Sequence, residues 1–361
     1  MRIAVFGLTT PETEVSVSPA GIANVEFLDP VHQAQLLVDK LRRDHDVIIG
    51  LVHLGVHPFS KYTSTLLAQR VKGIDVIIDG HSHTVLPQGI MEGDTLICQT
   101  GCYDSYLGEV NVTVKNHAVV EKSARLLDPG QAAALAPVPD AKVLSEISRM
   151  EKAYTKEFRK VVGHSGHAME YDRKKDRTGE TELGDFVTDA FRSTTGADIA
   201  VVNSGSVRAG WPAGEVTKGD VINVFPYGNL MKKAEVSGEQ ILEMLENSVS
   251  LYPGDAGRFL QVSGLSFTVD AAKPVGSRVS DVLVKGEPLD PKGKYTMAVS
   301  DFMLQGGDGY QMLKGLHVIA ECGTQYEIME AWAKEHSGLE SPMGRIRILH
   351  AAGREAEKKA A

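Results

Sequence analysis

The hydrophobic and polar positions of the first 80 residues alternate between short apolar runs and stretches with helical spacing. Apolar runs at 2–8 and 46–53 predict buried strands, and residues 31–43 carry apolar side chains three and four apart, which predicts a helix between them. A second helix over 66–71 leads into a predicted strand at 74–78. This alternation predicts a parallel sheet with helices packed against it.

The pattern changes near residue 130. Runs at 96–100 and 108–114 predict two more strands, after which the Pro- and Ala-rich stretch 129–139 interrupts the alternation and marks a boundary. Residues 140–162 contain neither proline nor glycine and are rich in charged side chains with apolar residues three and four apart, which predicts a connecting helix.

The later half has its own succession of helices and short strands. An apolar stripe over 183–191 predicts a helix that Gly196 ends, and residues 199–202 predict the strand that follows. Ser237 and Gln240 form a capping-box pattern at the start of another helix. The second half therefore predicts a mixed domain with a core of its own.

The length of 361 residues exceeds one ordinary core and predicts more than one domain. We expect a first α/β domain, a connecting helix, a second α+β domain and a tail without assigned function, at residues 1–138, 139–162, 163–349 and 350–361.

Composition narrows the functional classes. There are 38 Lys and Arg against 47 Asp and Glu, and the resulting net charge of −9 argues against a nucleic-acid partner. No apolar run approaches the roughly 20 residues of a membrane-spanning helix, and the N-terminus lacks the pattern of a signal peptide. Three cysteines, Cys98, Cys102 and Cys322, predict free thiols rather than a disulfide framework.

Histidines follow two of the predicted parallel strands. His53 ends one strand, and His81 and His83 follow another. Carboxyl ends of parallel strands meet at one crevice, and imidazole suits divalent transition metals. On an extended segment, His81 and His83 would point the same way. Each histidine also fits an ordinary surface or core position, and the one nearby carboxylate, Asp79, lies inside the strand, a poor place for a ligand.

Small-residue turns in the later half form a second set of candidates. The segment 203–208 leaves an apolar strand and ends on Arg208, a combination that favours an anion, although an ordinary strand-exit turn has the same pattern. Paired glycines in 302–310 allow close approach of a ligand, and Asp308 offers an acceptor; a plain glycine turn is the alternative. Tyr227 lies at a loop tip, where a ring packs or stacks.

These motifs together resemble a known family. Five segments resemble, in order, the 5′-nucleotidase C-terminal domain: ETELGDFVTDAF (180–191), NSGSVR (203–208), VFPYGNL (224–230), GRFLQVSGL (257–265) and FMLQGGDGY (302–310). Three earlier segments resemble the latter half of the calcineurin-like metallophosphatase domain: FGLTTPET (6–13), LVHLG (51–55) and DGHSHT (79–84). The resemblance covers residues 1 to about 349. It implies an α/β fold, with an incomplete metallophosphatase β-sandwich flanked by helices followed by an α+β 5′-nucleotidase C-terminal domain.

The resemblance also implies a centre of two divalent metal ions, zinc or manganese. It places His53 and His81 on one metal and His83 on the other. The family's Asp-x-His motif, bridging Asp and Gly-Asn-His-Glu segment, which carries the catalytic His, have no counterpart in this sequence. We therefore expect an incomplete metal site, name no catalytic residue, and expect this chain by itself to be inactive.

The substrate positions implied by the resemblance lie in the second domain. They are polar contacts from Arg177, Asn203 and Arg208, two rings that sandwich the nucleobase, Tyr227 and Phe302, and a polar contact to the nucleoside from Asp308. The neighbouring basic run 173–175 is interpreted as solvated surface.

The resulting hypothesis is a 5′-nucleotidase-family phosphoester hydrolase that converts nucleoside 5′-monophosphates to nucleoside and phosphate. Two alternatives remain, namely a catalytically silent nucleotide- or nucleoside-binding protein and a hydrolase of nucleotide sugars, cyclic nucleotides or non-nucleotide esters. The expected partner is a small nucleotide or nucleoside. The resemblance implies an exported or periplasmic location.

Overall fold

The computed structural model describes residues 1–17, 19–22, 24–58, 60–336 and 342–350. The chain divides into two compact units. The first consists of Met1–Glu14 and Ile22–Glu146, and the second of Val15–Gly21 and the described residues from Ile147 onward. The tail predicted for 350–361 lies outside the described residues except for His350. Across the described ranges, no helix has the length and apolar character needed to cross a membrane.

The first part of the chain alternates strands and helices as predicted. Its strands are β1 (Ile3–Thr9), β2 (Val47–His53), β3 (Val76–Ile78), β4 (Ile90–Glu92), β5 (Thr95–Cys98), β6 (Leu107–Lys115) and β7 (Ala118–Leu127). Its helices are α1 (Thr13–Ser16), α2 (Pro30–Leu41), α3 (Ser64–Arg70), α4 (Pro129–Leu135) and α5 (Ala141–Phe158). One sheet has the order β1-β2-β3-β5-β4, parallel except for β4, and β6 and β7 form an antiparallel hairpin.

The two faces of this sheet are covered unequally. Side chains such as Phe6 and Ile48 lie in a core with residues of α2 and α3. On the opposite face, residues of the β6–β7 hairpin pack against buried residues of β3 and β5. Three apolar residues of β1 and β2 stay exposed, Ile3 by 50%, Val5 by 60% and Leu51 by 56%. The edge strand β1 and its neighbour β2 therefore expose apolar side chains.

The stretch predicted to interrupt the pattern contains a short helix, α4. Pro129 takes the first helical position, where its missing N–H costs nothing, and Asp128 and Gln131 form a capping box. The predicted interruption at 129–139 therefore contains a helix over Pro129–Leu135, which proline begins. The connecting helix predicted for 140–162 is present as α5.

The second unit contains the remaining elements. Its strands are β8 (Val161–Ser165), β9 (Ile199–Asn203), β10 (Gly214–Thr217), β11 (Leu230–Ser237), β12 (Leu260–Ser263), β13 (Leu265–Asp270), β14 (Val279–Val284), β15 (Glu287–Pro288), β16 (Lys294–Ser300), β17 (Val318–Thr324) and β18 (Ile346–Leu349). Its helices are α6 (Arg173–Asp176), α7 (Glu182–Thr195), α8 (Lys218–Val224), α9 (Gly238–Ser248), α10 (Asp301–Leu304) and α11 (Gln325–Glu335), with 3₁₀ turns at Ser204–Ser206, Gly307–Gly309 and Gln311–Leu313. Another 3₁₀ turn, Pro19–Ile22, contains the division between Gly21 and Ile22.

A five-stranded sheet of order β12-β9-β16-β11-β17 forms the centre of this unit. Alternate residues of β9 enter different cores. Ile199 and Val201 pack with α9 and with the sheet β15-β14-β13-β18, whereas Ala200 and Val202 pack with α7, α8 and α11. A strand covered on both faces is apolar throughout, which explains the unbroken run at 199–202.

The predicted helix signals are present. Gly196 ends α7 in the left-handed conformation, with φ of 59°, and Ser237 and Gln240 form the capping box of α9. Cys98, Cys102 and Cys322 are free thiols. The predicted class, an α/β first part followed by an α+β second part, is confirmed.

Candidate functional site

The parallel strands of the first unit bring two of the predicted histidines together. His53 is the last residue of β2 and His81 follows β3, and their ring centroids lie 5.1 Å apart in an edge-on arrangement. Desolvation and the charge of His81 lower the pKa of His53, while the charge of Asp79 opposes that shift. The crevice at the carboxyl ends of β2 and β3 therefore contains a close imidazole pair.

Glu12, just after β1, is a third group at this crevice. Its Oε2 lies 3.4 Å from Nε2 of His81 and accepts a hydrogen bond of the same length from Ser60. The contact with His81 lowers the pKa of Glu12, and burial opposes this effect. Glu12 was not predicted as a site residue, although it lies in the motif at 6–13, and its only signal in the sequence was its position just after a predicted strand.

Asp79 has a structural role. Its Oδ1 accepts hydrogen bonds from the backbone N–H groups of Leu54, Gly55 and Gly80 at 3.0, 3.1 and 2.8 Å, and its Oδ2 accepts one from Gln99 at 3.2 Å. This carboxylate joins the segment after β2 to the end of β3. Its oxygens are engaged by the protein, which agrees with the doubt about Asp79 as a ligand.

The local geometry predicted for His81 and His83 was wrong. His81 and His83 have positive φ, 73° and 56°, so they do not lie on an extended segment. The alternation of an extended strand therefore does not apply to their side chains. The ring of His83 lies 5.9 Å from that of Tyr103. Among the residues with described positions, no group of three or more His, Cys, Asp or Glu is arranged to hold a metal. These side chains alone do not fit the implied two-metal centre.

The second unit brings other predicted residues together at the end of β9. The Nδ2 group of Asn203 donates a 2.7 Å hydrogen bond to Oδ2 of Asp308, and the hydroxyl of Ser206 donates to Oδ1 of Asn203 at 2.8 Å. Asn203 is buried, and both ends of its amide are fixed. The amide therefore holds the Asp308 carboxylate in place at the strand exit.

Asp308 lies in an unusual backbone conformation. Its φ is 53°, within the turn that follows α10. Burial raises the pKa of Asp308, while the bond from Asn203 and the charges of Arg258 and Arg177 oppose that shift. Asp308 is therefore a half-buried acceptor close enough to two guanidinium groups to feel their charge, and its role in binding stays a prediction.

Three arginines, Arg173, Arg177 and Arg208, lie near one another, and the charge of Arg177 also acts on Asp308. Arg177 is buried, 7% exposed, and its Nη1 donates to the backbone oxygen of Asp255 at 3.4 Å. Its Nε has no hydrogen-bond partner among the described residues. Burial and the charge of Arg173 lower the pKa of Arg177. Arg173 and Arg208 act electrostatically, with Arg177, on the hydroxyl of Tyr171.

The interpretation of 173–175 as solvated surface was wrong for its first residue. The Arg173 side chain is 25% exposed and lies 3.1 Å from the Asp255 carboxylate, whereas Lys174 and Lys175 are exposed as predicted. Asp255 and Arg258 were not predicted from the sequence as site residues. Arg258 lies in the motif at 257–265, and the charge of Asp255 gave no signal of its partner 82 positions away.

A buried amide supports the segment that carries Arg177. The Nε2 group of Gln261 on β12 donates to the backbone oxygens of Asp176 and Gly179 at 2.9 and 2.8 Å, and its Oε1 accepts from the Thr181 N–H at 3.2 Å. Ser204 on the turn after β9 also donates to the oxygen of Asp176. The arginine segment and the strand exit are therefore one connected structure.

We expect Gly184→Ala to destabilise this support. A Cβ at Gly184 would lie 2.3 Å from Oε1 of Gln261, which is fully buried and cannot move without losing its hydrogen bonds. Overpacking of this kind costs about 1–3 kcal/mol, more than the helix propensity that alanine gains. Urea unfolding should show the loss. Gly179→Ala is the control, because its nearest contact would be 3.9 Å; equal stability of the two variants would contradict the prediction.

The two predicted rings differ in exposure. Tyr227, in the loop between α8 and β11, is 60% exposed. Phe302 in α10 is half-buried, and its ring approaches Gly307 so closely that a Cβ there would lie 2.4 Å from the ring. Phe302 also packs against the larger core of this unit. The ring of Phe302 is therefore held by packing against this core, whereas the ring of Tyr227 is mostly exposed to solvent.

The chain is similar in sequence to a known domain family and to known proteins. Residues 161–315 match the family model of the 5′-nucleotidase C-terminal domain. The trifunctional nucleotide phosphoesterase protein YfkN of Bacillus subtilis is 31% identical over an alignment of 370 positions, which covers 96% of this chain and 24% of that protein. A 5′-nucleotidase of Vibrio cholerae is 28% identical, over 86% of this chain and 62% of its own length.

A solved structure agrees with these matches. The 5′-nucleotidase precursor from Thermus thermophilus superposes with a TM-score of 0.82 and 29% identity, over 97% of this chain and 73% of that one. The chain thus spans less than two thirds of the two curated relatives and nearly three quarters of the solved one. The resemblance found in the sequence motifs is confirmed.

Proposed function

Because residues 161–315 match the 5′-nucleotidase C-terminal domain, we propose that the second unit is the nucleotide-binding part of a 5′-nucleotidase-family phosphoester hydrolase. The proposed substrate is a nucleoside 5′-monophosphate, which the whole protein would convert to nucleoside and phosphate. The observation that carries this proposal is the 2.7 Å hydrogen bond from the buried Asn203 to Asp308, whose pKa the charge of Arg177 lowers.

Each part of a nucleotide has a chemical counterpart in this set. Guanidinium groups match the geometry and charge of phosphate, and the buried Nε of Arg177 lacks a partner among the described atoms, so an anion would satisfy it. The Asp308 carboxylate is an acceptor for sugar hydroxyls. Tyr227 and Phe302 offer rings for a base, whose stacking is worth about 1–3 kcal/mol. We assign Arg208 to the charged side with Arg177.

For this chain we assign binding and no hydrolytic step. Divalent metals are implied by the resemblance, and a bound metal would supply an activated water. The described His53, His81 and Glu12 do not form a metal-holding group of three. This observation favours the silent binding protein as the second candidate function for the chain by itself.

Titration calorimetry on the 361-residue chain tests the proposal. We expect adenosine and AMP to bind, and AMP turnover with zinc or manganese to stay close to that of the metal in buffer. No binding of either ligand by a folded chain would refute the nucleotide site. Metal-dependent turnover above about 1 per second, an ordinary enzyme rate, would refute the silent interpretation. Nucleotide sugars and cyclic nucleotides in the same titration test the alternative substrates.

A further inference from the structure

The two rings proposed for base stacking belong to different structural elements. Tyr227 lies in the loop before β11, and Phe302 lies in α10, which follows β16. β11 and β16 pair antiparallel, and their register runs up to the pair Met231 and Ser300. Tyr227 and Phe302 therefore both lie beyond the same end of this ladder. Backbone pairing between β11 and β16 does not fix the distance between the two rings.

The Asp301 carboxylate continues the connection beyond the ladder. Its Oδ1 accepts hydrogen bonds from the Nδ2 group of Asn229 at 3.1 Å, from the N–H of Leu230 at 3.2 Å and from the N–H of Phe302 at 2.8 Å. One oxygen thus contacts the residue two positions after Tyr227 and the backbone of Phe302 itself. Hydrogen bonds to a carboxylate are stronger than those between neutral groups.

A second contact restricts the same loop. The backbone oxygen of Asn229 accepts a hydrogen bond from the N–H of Gln325 at 2.9 Å. Asn229 is therefore held through its side chain by Asp301 and through its backbone by the start of α11. Tyr227 is 60% exposed and lies two positions before this residue.

We propose that Asp301 is a positioning residue that fixes the separation of Tyr227 and Phe302 for a nucleobase. The inference rests on the proposed function. Stacking on both faces of a planar ring requires two rings held at a set distance, and a site that is ordered before binding loses less freedom when the ligand arrives. Asp301 acts through the two rings and needs no contact with the ligand.

A double-mutant cycle tests this role. We expect Asp301→Ala to weaken adenosine binding about tenfold in the otherwise native chain and less than about twofold when Tyr227→Ala is already present, because without the Tyr227 ring no separation between two rings is left to fix. Binding of inorganic phosphate should be unchanged in both backgrounds. Titration calorimetry measures the effect of Asp301→Ala on adenosine and on phosphate binding in each of the two backgrounds. Thermal melts report whether each variant is folded.

The possible outcomes are distinguishable. Equal losses in the two backgrounds, or none, would overturn the positioning role while leaving nucleotide binding intact. Failure of the native chain to bind adenosine would refute the proposed function and, with it, this inference. If Asp301→Ala does not fold, Asn229→Ala removes only the side-chain donor and runs the same cycle, and the same coupling to Tyr227 is expected. A lower melting temperature with unchanged adenosine affinity would show a merely structural role and overturn the proposal.

Discussion

Asp185→Asn should raise the free energy of unfolding at pH 7 by on the order of 4 kcal/mol, and the gain should grow with pH. Asp185 is fully buried on α7, and burial raises its pKa to about 9, against the opposing charge of Arg345 and with help from Glu180 and Asp189. The folded chain therefore keeps a proton on this carboxyl at neutral pH.

The direction of this pH dependence follows from the number of protons bound by the folded and the unfolded chain. In the unfolded chain the carboxyl has its ordinary pKa of 3.8, so between about pH 4 and pH 9 folding must bind a proton that the unfolded chain has released. Stability is lost at about 1.4 kcal/mol per pH unit as pH rises through this window. Asparagine keeps an oxygen at the position of Oδ1, which lies 3.5 Å from Nη1 of Arg345, and it does not titrate.

Urea unfolding at several pH values between about 5 and 8 measures the effect. Asp189→Asn is the matched control on the same helix, because it removes a carboxylate that lies 2.7 Å from Nη2 of Arg345. This second variant should lose stability rather than gain it. Parallel pH profiles for the native chain and Asp185→Asn would contradict the buried protonated carboxyl.

The elements of the fold were predictable because their causes are local. Apolar periodicity indicated β9 and α7, and Gly196 and the Ser237 capping box marked helix ends correctly. The helix at Pro129–Leu135 was not predicted, because proline begins helices as well as breaking them. Local signals thus defined the elements better than they defined the segments between them.

The site depended on contacts that local patterns do not contain. Asn203 and Asp308 were candidates separately, but their hydrogen bond joins residues 105 positions apart. Arg173 has the pattern of a solvated charge until Asp255 is placed beside it. The positive φ of His81 has no sequence signal, because residues other than glycine rarely adopt it.

Phe302→Leu should separate base recognition from capture of phosphate. Leucine keeps an apolar side chain against the core but removes the ring face, so adenosine binding should weaken by about 1–3 kcal/mol, the value of one stacking partner. Phosphate binding should hardly change. Phe302→Ala should show the same selectivity with an added loss of fold stability, since the native ring is half-buried against the core of this unit.

Two further variants make the experiment decisive. Tyr227→Ala removes a ring that is 60% exposed, so it should cost adenosine affinity without lowering the melting temperature. Arg208→Ala should show the opposite selectivity, with loss of phosphate binding exceeding loss of adenosine binding, if its guanidinium faces the phosphate side. Titration calorimetry with adenosine and phosphate, run beside thermal melts, compares all four variants. Unchanged adenosine affinity in folded Phe302→Leu would eliminate the stacking role. A loss confined to adenosine would support that role, because a ring that only stabilised the core would affect adenosine and phosphate binding alike.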